Sequence, residues 1–227
     1  MRLSPAPVPC SNGSAPPAAE GARPVKPADP SRKRLIVGIS GASGAIYGIR
    51  LLEILRALDI ETHLIVSNAA RITLAMETDS TIAEVEKLAA VVHSNKDIGA
   101  ACSSGSFRTL GMIVAPCSVK TLAEIASGVT SSLLARAADV TLKERRKLVL
   151  MLRETPLHLG HIRSMAQATE AGAIICPPVP AFYAKPQTLD DMVNHTVGRV
   201  LDLFDIDAGL VRRWDGLKGA AKQPVAG

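Results

Sequence analysis

Aromatic side chains are scarce in this chain of 227 residues: three Phe, two Tyr and one Trp make up 3% of it. Its core must then be built from Ala, Val, Leu and Ile, whose modest bulk suits close helix–sheet contacts and an α/β layered fold. Metal-type cysteine spacing is lacking too. Cys10, Cys102, Cys117 and Cys176 stand far apart with no C-x-x-C pair, which argues against a zinc site or a disulfide framework and for reduced thiols in a cytoplasmic protein. No apolar run reaches the roughly 18 residues of a membrane span, and the N-terminus lacks the apolar segment of a signal peptide. The net charge of +5 is concentrated in Arg32-Lys33-Arg34 and Lys143-Glu-Arg-Arg-Lys147. Without interleaved aromatics neither cluster reads as a nucleic-acid stripe, and small anionic ligands fit them better.

Two nucleotide motifs are missing as well. A Walker A loop needs G-x-x-x-x-G-K-[ST], and Lys120-Thr121 has no glycine before the lysine. A dinucleotide fingerprint needs G-x-G-x-x-G and an acid at the end of the second strand. Here the glycines run Gly38-x-x-Gly41-x-x-Gly44, the second strand ends in Ser67-Asn68, and Glu61 lies at that strand's start. ATP and NAD are therefore disfavoured.

What is present is an alternation of strand and helix. Residues 1–32 are rich in Pro, Ala, Ser and Gly and read as a disordered tail; its sparse arginines disfavour an organelle-targeting peptide. Leu35 to Ile39 is an unbroken apolar run, as expected of a buried parallel strand. Further strands are predicted at 60–67, 112–116, 148–152 and 173–176. Helices are predicted at 44–58, 68–76, from 118, and at 131–142, 157–171 and 189–204. This order implies a doubly wound, mostly parallel sheet, a flavodoxin-like or Rossmann-like three-layer sandwich spanning 33–216. A flexible tail is expected at 217–227.

Ligands of such sheets bind beyond the carboxyl ends of the strands. Gly41-Ala42-Ser43, Ser67-Asn68 and Cys117-Ser118-Val119-Lys120-Thr121 all fall there, each offering hydroxyls or amides at a helix start. Taken singly each is an ordinary helix cap; three at one sheet edge point to a phosphate-bearing mononucleotide. His158 and His161, at i and i+3, lack a third metal ligand and read as structural. Cys117 reads as packing beside the ligand.

Six segments together resemble one family. Gly41-Ala-Ser-Gly-Ala-Ile-Tyr-Gly48, Glu77-Thr-Asp79, Pro116-Cys-Ser-Val-Lys-Thr-Leu122, Arg136 to Arg146, Leu152 to His161 and Pro177 to Tyr183 are similar, in that order, to the UbiX-type flavin prenyltransferases. The resemblance implies that reduced FMN is alkylated at N5 and C6 by dimethylallyl phosphate, without a metal, to give prenyl-FMN, the cofactor of UbiD-type decarboxylases. It implies FMN contacts at Gly41, Ala42, Ser43, Ser67, Ser118, Val119, Lys120, Thr121 and Arg136. Catalytic roles are implied for Glu77, Lys143, Arg153, Glu154 and Trp214, and prenyl-phosphate contacts for Tyr183 and Arg199. Lys143, Arg153 and Arg199 would stabilise the leaving phosphate, and Glu154 would move a proton. Trp214 would face an allylic cation. A homo-oligomer, a dodecamer in this family, is expected.

There is no D-D-x-x-D run of the diphosphate-using enzymes, and Asp190-Asp191 reads as a helix N-terminal acid pair. The related cysteine decarboxylases carry a histidine base where this chain has Ser67-Asn68-Ala69-Ala70-Arg71; His63 lies inside the second strand instead. The alternative to prenyl transfer is an FMN-carrying accessory subunit of an aromatic-acid decarboxylase.

Overall fold

A computed structural model describes residues 33–214. Both expected tails, 1–32 and 217–227, lie outside the described residues. Six strands form one parallel sheet: β1 (Arg34–Ile39), β2 (Glu61–Val66), β3 (Val91–Ser94), β4 (Gly111–Cys117), β5 (Lys147–Leu152) and β6 (Ala173–Ile175), in the order β3-β2-β1-β4-β5-β6. This is the doubly wound arrangement expected. The strand order reverses between β1 and β4, which makes that junction the switch point where ligands bind.

The helices are α1 (Ala45–Ala57), α2 (Asn68–Glu77), α3 (Ile82–Leu88), α4 (Val119–Ser127), α5 (Leu133–Lys143), α6 (Leu159–Glu170) and α7 (Leu189–Asp202). Strand side chains alternate between two cores. Leu35, Val37 and Ile39 face α1, α2, α3 and α7; Ile36, Met112 and Val114 face α4, α5 and α6. Burial on both faces explains why β1, β4 and β5 read as unbroken apolar runs.

The sequence reading missed β3 and α3. Only alternate residues of β3 are even partly buried, as befits a four-residue edge strand, so it leaves little apolar signal. The signal for α3 was legible: Thr81 and Glu84 form a reciprocal capping box. The acid pair at α7 behaves as read. Asp191 completes a capping box with Thr188, and Asp190 pairs with Arg50 of α1 at 3.0 Å.

Candidate functional site

Three helices begin at one cleft on the carboxyl edge of the sheet, each capped by a serine. The Ala70 amide of α2 donates to Ser67 Oγ (3.1 Å), the Thr121 amide of α4 to Ser118 Oγ (3.3 Å), and the Ala135 amide of α5 to Ser132 Oγ (3.3 Å). A side-chain cap satisfies one first-turn amide; the other amides of each first turn and the helix dipole favour an anion. The cleft encloses about 350 Å³ and is lined by Gly41, Ser67, Asn68, Ala69, Asn95, Ser118, Lys120, Thr121, Glu124, Ser131, Ser132 and Leu134.

The turn after β1 is fixed from beneath by Ser40, which is buried. Its hydroxyl donates to the Pro116 carbonyl (2.9 Å) and accepts from the Ser118 amide (2.8 Å), tying the ends of β1 and β4 together. A Cβ on Gly41 would fall 2.3 Å from Ala69 Cβ, so only glycine lets this turn meet the start of α2.

The first amides of α1, by contrast, are already taken. Gly44 and Ala45 donate to Glu77 Oε2 at 2.8 and 3.1 Å. The phosphate cradle expected at this helix start is filled by a carboxylate from the end of α2, whereas the serine-capped starts of α2, α4 and α5 line the cleft. Desolvation pushes the Glu77 carboxyl up, but hydrogen bonds from Ser43, Gly44 and Ala45 and the Arg153 charge outweigh it and hold it below the usual carboxylate range.

The implied FMN contacts Gly41, Ser67, Ser118, Lys120 and Thr121 line the cleft, with Ala42, Ser43 and Val119 in the same turns. The Lys120 ammonium is spent within α4 on Glu124 Oε1 (2.8 Å), which also accepts from Ser131 Oγ (3.2 Å). Arg136 does not line the cleft; it pairs with Asp139 at 2.7 Å. Arg153 and Glu154 follow β5 at the same sheet edge. The Arg153 amide donates to the Cys117 carbonyl (3.0 Å), and Glu154 Oε1 accepts the Thr155 amide (3.0 Å).

Lys143 is not brought to this edge. It ends α5, whose first turn is at the cleft, so about 15 Å of helix separates it from the site. There it pairs with Glu144. Tyr183, Arg199 and Trp214 form a separate group around α7. The Tyr183 hydroxyl is 3.4 Å from His195 Nε2, Trp214 stands edge-on to Tyr183 at 6.0 Å, and Arg199 pairs with Asp202 at 2.6 Å.

Sequence reasoning missed Asn95, Ser131 and Ser132. Asn95 is the residue after β3, and its carbonyl and Oδ1 accept the Leu133 and Leu134 amides at 2.9 and 3.0 Å. Cys117 is fully buried, and burial pushes its thiol far above the ordinary range, so it packs rather than attacks. His158 caps α6, accepting the Gly160 amide on Nδ1 at 3.0 Å. Among the described residues no group of three or more His, Cys, Asp or Glu is gathered to hold a metal ion. No described helix is long and apolar enough to cross a membrane.

A doubly wound parallel sheet with hydroxyl-capped helix starts around its switch point defines a nucleotide-type binding protein. The chain belongs to the Flavoprotein family, whose model matches residues 25–201, and within it to the flavin prenyltransferases of the UbiX type. It is 64% identical over 187 residues to flavin prenyltransferase UbiX of Escherichia coli strain K12, covering 81% of this chain and 99% of that one. It is 60% identical to the UbiX of Thauera aromatica, covering 81% of this chain and 94% of that one. Among solved structures, AnUbiX in complex with FMN and dimethylallyl pyrophosphate superposes with a TM-score of 0.80 at 53% identity, covering 82% of this chain and 98% of that one. A dodecameric FMN-dependent UbiX-like decarboxylase from Escherichia coli O157:H7 superposes at 0.79 and 49% identity, covering 81% of this chain and all of that one.

Proposed function

We propose that this chain is a flavin prenyltransferase that joins a dimethylallyl group from dimethylallyl phosphate to N5 and C6 of reduced FMN. The prenyl-FMN formed would serve a UbiD-type decarboxylase. The observation that carries this reading is the convergence of the α2, α4 and α5 N-termini on one hydroxyl-lined cleft at the carboxyl edge of the sheet. A ring of hydroxyl and amide donors, with little fixed cationic charge, suits a flavin and its phosphate. Bound there, reduced FMN supplies two nucleophilic positions.

The chain's own residues supply the rest. Ser67, Ser118 and Thr121 orient the ligand from the helix starts. Arg153 presents a cation at the sheet edge, and Tyr183 and Arg199 supply a phenol and a second guanidinium for the departing phosphate. Glu154, half-buried next to Arg153, exchanges a proton with the phosphate or with flavin C6. Glu77 fixes the start of α1 and balances Arg153. Arg136, implied as an FMN contact, is paired with Asp139 outside the cleft and carries no part of this reading. The scattered cysteines of the sequence support a cytoplasmic setting.

Lys143 reaches such a site only from another copy of the chain, which supports a homo-oligomer. A dodecamer is the form named for one structural relative.

The test is anaerobic incubation with reduced FMN and dimethylallyl phosphate, with and without a chelator, followed by mass spectrometry of the flavin. A gain of one prenyl group, undiminished by chelation, is expected. A parallel reaction with the diphosphate separates the two donors. An unchanged flavin with both donors rejects prenyl transfer, and full activation of a partner decarboxylase by the Glu154→Ala protein favours FMN carriage.

A further inference from the structure

Beyond α7, residues 209–214 fold back across that helix as a strap. A Cβ on Gly198 would lie 2.8 Å from Val211 Cγ2 and 3.2 Å from Leu210 Cβ, so the strap rests almost on the helix backbone. One turn further, the Asp202 side chain is only 15% exposed. It accepts both guanidinium nitrogens of Arg213, Nη2 on Oδ1 and Nη1 on Oδ2, each at 3.2 Å. It also accepts Arg199 Nη1 on Oδ2 at 2.6 Å. Two-toothed arginine–carboxylate pairing fixes direction as well as distance. Arg212 adds a hydrogen bond of 3.4 Å to the Ala184 carbonyl, beside the Tyr183 turn. The residue after this anchored pair is Trp214, edge-on to Tyr183, which is itself edge-on to His195 at 5.7 Å.

We propose that Asp202 is a positioning residue: with Gly198 as the seat, it latches the strap through Arg213 so that Trp214 is held against Tyr183. It touches no reacting group. Its catalytic consequence rests on the proposed function, in which Tyr183, Arg199 and Trp214 meet the prenyl phosphate. A tryptophan on an unlatched strap would sample many orientations, and a displacement of an ångström or so at a reacting group is costly. The same carboxylate holds Arg199, so losing it also frees a guanidinium assigned to the phosphate.

Trp214 is the sole tryptophan, so its emission reports the strap directly. Trp214 is 61% exposed, so the readout is the motion of the indole and not its access to solvent. Steady-state anisotropy of the emission is measured on the full-length, flavin-free protein for Asp202→Asn, Arg213→Gln and Arg213→Lys. Arg213 is exposed, so its variants leave the core intact. The anisotropy is expected to fall by roughly a third in the first two variants, with the lysine variant in between. Prenyl transfer should fall on the order of tenfold in Asp202→Asn and Arg213→Gln, with FMN affinity unchanged and partial rescue by lysine. Unchanged anisotropy in both variants overturns the latch. Lowered anisotropy with full prenyl transfer overturns the positioning role while leaving the prenyltransferase reading intact. Failure of the unmodified protein to transfer a prenyl group rejects that reading, and the fluorescence result still decides the latch.

Discussion

The Glu77 carboxylate accepts the first amides of a helix that begins 32 residues earlier in the chain. Its partners, Ser43, Gly44, Ala45 and Arg153, all favour the ionised form against the cost of desolvation, and the folded-state carboxyl lies below its ordinary value of 4.5. A carboxyl lowered in this way stabilises the fold fully above its unfolded value and loses that contribution as pH falls through the folded value. Glu77→Gln should therefore lower stability by about 0.5–1 kcal/mol at neutral pH, at the low end because the group faces solvent. The gap between the two proteins should close as the pH is taken below 4.5. Denaturant melts across that range check it; a gap independent of pH would show that the charge contributes nothing. The sequence reading named Glu77 through resemblance to a family. No spacing rule could place its carboxylate on α1, because the contact is tertiary. Ser40 was illegible for the same reason: a buried serine just past an apolar strand carries no mark of its two hydrogen bonds to the end of β4.

At the level of elements, helices and strands with a strong apolar period were readable to within a few residues, and the weak link was β3. Its omission removed Asn95 from view, and with it the way the sheet's edge sets the start of α5. Asn95 bridges the two: its side chain caps the Leu134 amide while its carbonyl takes the Leu133 amide. Thr81 caps α3 with comparable geometry, away from the cleft. Asn95→Ala and Thr81→Ala should each cost about 1 kcal/mol of stability. Only Asn95→Ala should weaken FMN binding, because it loosens a helix start that lines the cleft. Thermal melts paired with flavin titration separate the two effects; equal flavin affinity in both variants would remove Asn95 from the site.

For the molecule as a whole, the arrangement of charge is uneven in a way that one chain cannot resolve. Arg153 follows β5 at the carboxyl edge, while Lys143 precedes it, so about 17 Å of strand separates them. A lysine side chain cannot cover that span, and the fold offers no hinge between two consecutive elements of a packed sheet. If both cations serve one leaving phosphate, they belong to different copies. Arg153→Ala and Lys143→Ala should each be nearly inactive alone. Co-expressed in equal amounts and assembled at random, they should recover about a quarter of wild-type prenyl transfer, because one site in four then joins an intact Arg153 from one copy to an intact Lys143 from the next. Mixing the preformed variant oligomers without dissociation should recover none. A co-expressed mixture as inactive as either parent would mean that Lys143 has no part in the site, and that the remaining cations, Arg153 and Arg199, suffice for the phosphate.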